Sequence, residues 1–528
     1  MKQQTPNKAD LSNHPIWSLK GILCLVVGYC VLHSVLRLLS TYNIAQDDVV
    51  GNVLAQVLAP GYIVRQGPLY DMALWFVQQV TGPYIGGFLF LKYVFLTATI
   101  AFIYLSARRI LDSQLWAGLT ACSLTLFYQL GWNIHEGVTH TAALMCFIAA
   151  SFWAFTRIVQ EGGWQNYMLF GIFLGAGFLS KHTFGIFVGL LVLASCLQKP
   201  LRQKLFHPLI LVSLGVATLM MLPFLLWLYE RFSELGTTAH GAVGLTDGGY
   251  FERLQLGFPF IIRGPVAFMA PLILVLPLAF PGYLKQLKKV VFAPYTKTDG
   301  QPDLLRLVYH MTALAVLFLI IALFVFGIWR LKERYLHPFF LVSIIGLMAI
   351  AMQTDYQLKH IKRLLGAILI GGIVILAARS GNFWVGQPFC GPCRQLVPYE
   401  GVAKALRDKG FETGTLISGF RFTAGNMRRF FPSARIVSLS HPYFVPPRRE
   451  LYKDRAQDVA AVWRVRYAAD KKQGVPKYIA DELKRMNIKN IPKIETVSVP
   501  WTHLWRPTGY RVSLWKVIYI PMGLRPDE

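Results

Sequence analysis

Charge is scarce in this chain. Only 15% of its 528 residues are Asp, Glu, Lys or Arg, against 54% hydrophobic, and the mean hydropathy is +0.44. That is too apolar for one soluble core of this length, which excludes an ordinary soluble enzyme. Tandem repeats and low-complexity tracts are missing. So is any glycine pattern of Walker A or Rossmann spacing at a strand-to-helix junction, which leaves an ATP-driven pump without support. Histidines at metalloprotease spacing are missing as well: His135 and His140 lie five apart, about 140° out of register on a helix, whereas Glu136 and His140 would share a face. No metal is expected. The first apolar run, 17–39, is too long for the core of a cleaved secretory signal, and Cys30, His33 and Ser34 precede no small-residue cleavage site, so it is expected to remain as a span.

What is present is a series of apolar runs long enough to cross about 30 Å of hydrocarbon as helices. Helices are the expected element, because backbone groups in lipid must be satisfied within their own segment. Eleven spans are predicted, at 17–39, 84–105, 114–130, 139–155, 167–179, 184–197, 208–229, 263–283, 311–328, 335–352 and 364–378. Lys and Arg number 53 against 27 Asp and Glu, a net charge of +26, and every second connection carries a basic cluster, such as Arg108-Arg109 or Lys288-Lys289. The positive-inside rule makes those connections cytoplasmic, together with residues 1–16. The fold class is therefore a polytopic α-helical membrane protein over 17–380, with two long outer-face loops at 40–83 and 230–262. The second loop is Gly-rich, carries His240, and reads either as a flexible lid over a site or as a plain connector.

The first loop holds the densest chemistry. It carries the adjacent carboxylates Asp47 and Asp48 and then Arg65-Gln66-Gly67-Pro68-Leu69-Tyr70. Other ionisable groups fall at the same predicted depth: His135, Glu136 and His140 at the start of span four, Lys181 and His182 in the turn between spans five and six, and Arg334, Tyr335 and His337 at the start of span ten. Ionisable groups at membrane depth are costly and mark function. A single cation at a span end is also what an interfacial snorkelling residue looks like. Grouped cations beside an acidic pair suit a phosphate-bearing substrate, with the carboxylate taking a proton from an attacking hydroxyl.

From residue 381 the composition changes to that of a small soluble α/β domain with helices at 402–409, 424–431 and 477–486, strands at 414–418 and 435–439, and paired strands over 497–520. It holds 25 Lys and Arg against 12 Asp and Glu. On the extracytoplasmic side such a surface favours an anionic partner or anionic headgroups, not nucleic acid. Of the seven cysteines, five lie within apolar spans as ordinary core thiols. Cys390 and Cys393 form Cys-Gly-Pro-Cys, which reads as a structural disulfide closing a turn or as a thioredoxin-type redox pair; the preceding membrane span, where a thioredoxin has a strand, favours the disulfide.

These residues resemble the polytopic GT-C glycosyltransferases that use polyprenyl-phosphate sugars, in the branch of protein mannosyltransferases, lipid A aminoarabinose transferases and rhizobial galacturonosyltransferases. Asp47-Asp48 falls where the family has its acidic pair after the first span, and Gln66-Gly67-Pro68-Leu69-Tyr70 resembles its (Lys/His)-Pro-Pro-Leu-Tyr motif. Glu136 to His140 sits at its polar motif opening span four, Ser180-Lys181 resembles its Thr-Lys turn, and Arg334-Tyr335-Leu336-His337-Pro338 its Arg-Tyr-x-x-Pro motif. Gln66 departs from the basic residue of relatives, where Arg65 serves instead, and His140 departs from an acid. The resemblance implies inverting transfer of a hexose or pentose from a polyprenyl-phosphate donor to a lipid-linked glycan such as lipid A or lipopolysaccharide core, at the outer face of a bacterial inner membrane. Asp47 is then the base, with Asp48 second. Arg65, Lys181 and Arg334 neutralise the lipid phosphate, Tyr335 bonds to it or to the sugar, and no cofactor is needed.

The alternative is a transporter or flippase of lipid-linked sugars, which inverted repeats or matched broken helices would support; neither stands out. Reporter fusions after Ser380 are expected to give an extracytoplasmic readout, and a cytoplasmic one contradicts this topology.

Overall fold

The computed structural model describes residues 14–234, 248–292, 301–386, 389–390, 394–440, 444–447, 457–465, 474–488 and 490–521. The chain is mostly helical. The helices that bear on the site are α1 (Leu19–Ser40), α2 (Asp48–Leu54), α3 (Leu69–Thr81), α4 (Ile85–Leu111), α5 (Gln114–Ser123), α6 (His140–Glu161), α7 (Trp164–Ser180), α8 (Phe184–Cys196), α9 (Ile210–Tyr229), α10 (Tyr250–Met269), α11 (Leu304–Phe324), α12 (His337–Met352) and α13 (Leu358–Gly381). Among the described residues, α1, α4, α6, α9, α11 and α13 are long and apolar enough to cross a bilayer, and α8 and α12 are shorter apolar helices. The protein is a multi-pass membrane protein.

Local chemistry explains where these helices start and stop. The Ser18 hydroxyl accepts the Gly21 N–H at 3.1 Å and caps α1, and Asp303 does the same for α11 through Arg306 N at 2.9 Å. Helix α4 ends with Arg108 and Arg109 in its last turn, where cations suit the helix dipole. The turn from α6 to α7 runs through Gly162 and Gly163 at φ of 66° and 79°, values that favour glycine. The apolar window of α6 is 83% buried against protein, compared with 17% in α9 and 11% in α13. Helix α6 is thus the central post, packed by α4 and α7, while α9 and α13 keep most of their apolar surface on the outside.

Two spans expected as single helices are broken. The run 114–130 is α5 followed by a 3-10 turn, Leu124–Leu126, and a short helix, Tyr128–Gly131. The run 263–283 does not hold as one span: α10 ends at Met269, Ala270 is extended, and a new helix spans Leu272–Ala279. Pro271 has no N–H for the ladder and restricts Ala270 to extended backbone. The expected loop 230–262 is correspondingly helical from Tyr250, and His240 lies outside the described residues.

The C-terminal domain contains α14 (Tyr399–Arg407), α15 (Arg421–Met427) and α16 (Lys477–Arg485). Its five strands are β1 (Thr415–Ser418), β2 (Arg435–Ser438), β3 (Val459–Arg464), β4 (Glu495–Pro500) and β5 (Val512–Ile520), in the order β2-β1-β3-β5-β4. Strand β1 runs parallel to β2 and β3, and β5 is antiparallel to β3 and β4. One core lies on each face of the sheet. That nearer the membrane helices includes Tyr399, Met427, Trp501 and Trp515, and it also takes in Val53 from α2. The domain is therefore docked on the first loop through a shared core.

Candidate active site

The segment between α1 and α2 is shaped by hydrogen bonds to its backbone. The Arg37 guanidinium, at the last turn of α1, donates to the carbonyls of Thr41 and, at 2.6 Å, of Asn43, which turns the chain out of the helix. Gln46 sits at φ 52° and Asp47 N donates to Gly137 O at 3.1 Å. Helix α2 then begins at Asp48. Neighbouring helical residues diverge by about 100°, and the two carboxylates part accordingly: Asp47 is exposed and Asp48 buried.

Asp48 faces inward. Its Oδ2 lies 3.6 Å from Lys92 Nζ, which comes from the second turn of α4 and also donates to the carbonyl of Glu136. Burial pushes the Asp48 carboxyl up to about 6, against the opposing pull of Lys92. Glu136 in turn pairs with Arg379 of α13 at 2.5 Å, and Arg379 donates to His135 O at 3.1 Å. The His135 ring lies between the Tyr93 hydroxyl at 2.9 Å and the Tyr29 hydroxyl at 3.2 Å and stacks on His33 at 3.6 Å. A cavity beside this network is lined by Arg37, Asp48, Lys92, His135, Glu136 and Arg379, among others.

Asp47 is exposed and lies within electrostatic reach of a group of cations. Lys181 closes α7, donates to Thr141 Oγ1 at 3.1 Å and lies 5.6 Å from the centroid of the Tyr335 ring. The Arg334 guanidinium sits 5.5 Å from the same centroid. Burial lowers Lys181 to about 8; Asp47 acts to raise it, while Arg334 and Arg65 push it further down. Asp47, Arg65, Lys181, Arg334 and Tyr335 thus share one electrostatic neighbourhood. The loop that carries Arg65 and Gln66 is fixed beside them: His182 Nε2 bonds to Val64 O at 2.9 Å, and Gly67 rests so closely on the Leu179 carbonyl that a side chain there would collide with backbone.

Glu136 and His140 do not share a helical face, because Glu136 is extended and the helix begins only at His140. His140 instead meets Asp71, with Nε2 3.4 Å from Oδ2, beneath the buried ring of Tyr70 at 5.6 Å. Lys92, Arg379, Arg37 and Asp71 are not among the residues that the sequence pattern singles out. The available signal was the single ionisable residue inside an apolar run, as at Lys92 in Phe90-Leu91-Lys92-Tyr93. Cys390 is engaged in a disulfide, and Cys393 lies outside the described residues; Cys24, Cys30, Cys122, Cys146 and Cys196 are free thiols.

Residues 65–227 match the family described as dolichyl-phosphate-mannose-protein mannosyltransferase. The lipopolysaccharide core galacturonosyltransferase RgtA of Rhizobium johnstonii is 25% identical over 485 residues, 90% of this chain and 93% of its own. RgtB of the same organism is 24% identical over 446 residues, 83% of this chain and 85% of its own. The crystal structure of ArnT from Cupriavidus metallidurans bound to undecaprenyl phosphate has the same fold, with a TM-score of 0.56 at 12% identity over 94% of this chain and 98% of that one.

The inner ion pair gives a prediction. Lys92→Met strands the Asp48 carboxylate without its counter-ion and is expected to cost about 3–5 kcal/mol. The thermal midpoint of the solubilised protein should fall, and adding Asp48→Asn should restore most of it.

Proposed function

Because the chain belongs to the GT-C glycosyltransferase superfamily, we propose that it transfers a sugar from a polyprenyl-phosphate donor to a lipid-linked glycan acceptor at the outer face of the inner membrane. The observation that carries this reading is the exposed Asp47 carboxylate among Arg65, Lys181 and Arg334. A donor phosphate seated on the three cations brings the anomeric carbon beside Asp47. The carboxylate accepts the proton of the acceptor hydroxyl as its oxygen attacks that carbon from the opposite face. The bond from carbon to phosphate oxygen breaks, and the polyprenyl phosphate leaves with its charge held by the guanidinium and ammonium groups. Attack opposite the leaving group inverts the anomeric centre.

Asp48 is the poorer base. It is buried and it pairs with Lys92. Its part is to hold the helix that presents Asp47. The names of RgtA and RgtB support a lipopolysaccharide core saccharide as acceptor, and the ArnT complex supports a polyprenyl phosphate as the donor's carrier.

Asp47→Asn is expected to lower transfer by about 10²–10⁴-fold at normal expression and membrane insertion; wild-type turnover would remove Asp47 from the role of base. The low pKa of Lys181 adds a pH dependence. Its charge is lost as the pH rises through about 8, where an ordinary lysine keeps its own. The donor kcat/KM should fall above that pH, and Lys181→Arg, charged throughout, should abolish the fall. An unchanged alkaline limb in Lys181→Arg separates Lys181 from the donor phosphate.

A further inference from the structure

The segment that carries Asp47 and Asp48 is held by the C-terminal domain at both of its ends and in its middle. Before the acids, Ile44 and Asn426 exchange two hydrogen bonds: Ile44 N donates to Asn426 Oδ1 at 2.9 Å, and Asn426 Nδ2 donates to Ile44 O at 3.1 Å. After them, Asn52 Nδ2 donates to Gly425 O at 2.7 Å. Arg428 then reaches under the C-terminus of α2, donating to the carbonyl of Asn52 and, at 3.1 Å, to Ala55 O. The same guanidinium donates at 2.7 Å to Gln78 Oε1 of α3, whose amide donates to Asn52 Oδ1 at 2.9 Å. Between these anchors the backbone of Val49 lies directly on Gly425, with no room for a Cβ. Beyond α2, Gln56 pairs reciprocally with the backbone of Ile436 in β2, at 3.0 and 2.8 Å.

Helix α2 has seven residues. A helix that short has no stability of its own, so its direction is set by what it packs against. Here that is α15. A cation at the C-terminus of α2 also satisfies carbonyls that have no partner within the helix and suits its dipole.

We infer that the C-terminal domain is a positioning element of the active site: residues 424–428 form a template that aims α2 and with it Asp47, and Arg428 and Gly425 are its positioning residues. This rests on the reading of Asp47 as the base. The domain is then a wall of the catalytic unit, held rigidly to it, and its loss or displacement acts on turnover before it acts on donor capture, because the donor phosphate is held by Arg65, Lys181 and Arg334 on other elements.

Gly425→Ala is the cleanest probe. Alanine favours α15 itself, yet its methyl group meets the Val49 backbone and has to push α2 away. The purified full-length protein is assayed for kcat and donor KM, for thermal midpoint, and for amide hydrogen exchange of residues 47–56. A displacement of the base by about 1 Å costs on the order of 10²-fold, so the expected result is a fall in kcat of at least about tenfold with donor KM within about threefold and a wild-type thermal midpoint. Exchange should quicken in 47–56. Arg428→Ala should reproduce the kcat loss and Arg428→Lys recover part of it, which keeps the test open should Gly425→Ala fold poorly. Wild-type kcat in folded Gly425→Ala overturns the inference, as does a loss of folded protein with unchanged kcat per folded molecule in the Arg428 variants. Hydrogen exchange needs no transfer: unchanged exchange in 47–56 overturns the template, whereas absent transfer by the wild-type protein with quickened exchange in the variant overturns only the assignment of Asp47.

Discussion

The ion pair between Asp48 and Lys92 is the constraint on which the site depends. Two opposite charges, both nearly removed from solvent, are costly to bury and far costlier to separate. Their pairing fixes the first turn of a helix too short to fix itself against the long α4. Once Asp48 points inward, the 100° step along the helix leaves Asp47 pointing outward, where Lys181, Arg334 and Arg65 gather. One carboxylate is tied into the structure, and its neighbour is left exposed for the role of base proposed for it. Glu136 and Arg379 extend the same arrangement to α13, so that the first, second and last long helices meet at one polar knot.

The outer group has the opposite character. Its cations come from elements far apart in the chain: the loop before α3, the end of α7 and the entrance to α12. Lys181 and Arg334 both approach the ring of Tyr335. Like charges are brought together here with one carboxylate among them, an excess that an anionic ligand relieves. Shielding by protein is what lowers Lys181 to about 8, and the same shielding would strengthen its attraction for the phosphate proposed as its ligand.

Much of this was legible in the chain, for identifiable reasons. Long apolar runs declare themselves through composition, so α1, α4, α6, α9, α11 and α13 all overlap predicted spans. Pro271 divided a run that composition alone joined. Strand β3 escaped notice because Ala460 and Ala461 carry no strand signal, and only the pairing with β1 and β5 makes that stretch a strand. At the site, Asp47, Lys181, Arg334 and Tyr335 are legible as ionisable groups at span ends and Arg65 as part of the first loop's motif, and the fold brings them into one electrostatic neighbourhood. Lys92 and Arg379 lie within or beside apolar runs, where a single charge carries little weight against the surrounding hydropathy. The clamp of Asn426 and Arg428 on α2 joins residues more than 370 positions apart and leaves no local pattern to read.

In the proposed reaction the cation group takes a lipid-phosphate sugar and Asp47 activates the acceptor against it. The direct measurement is reconstitution of the purified protein in lipid with a polyprenyl-phosphate sugar and a lipopolysaccharide core acceptor, followed by mass spectrometry and anomeric NMR of the products. The account predicts one glycosylated acceptor and one polyprenyl phosphate per turnover, with the anomeric configuration inverted. Donor carried intact across the bilayer with no glycosylated product, or a product with retained configuration, would contradict it.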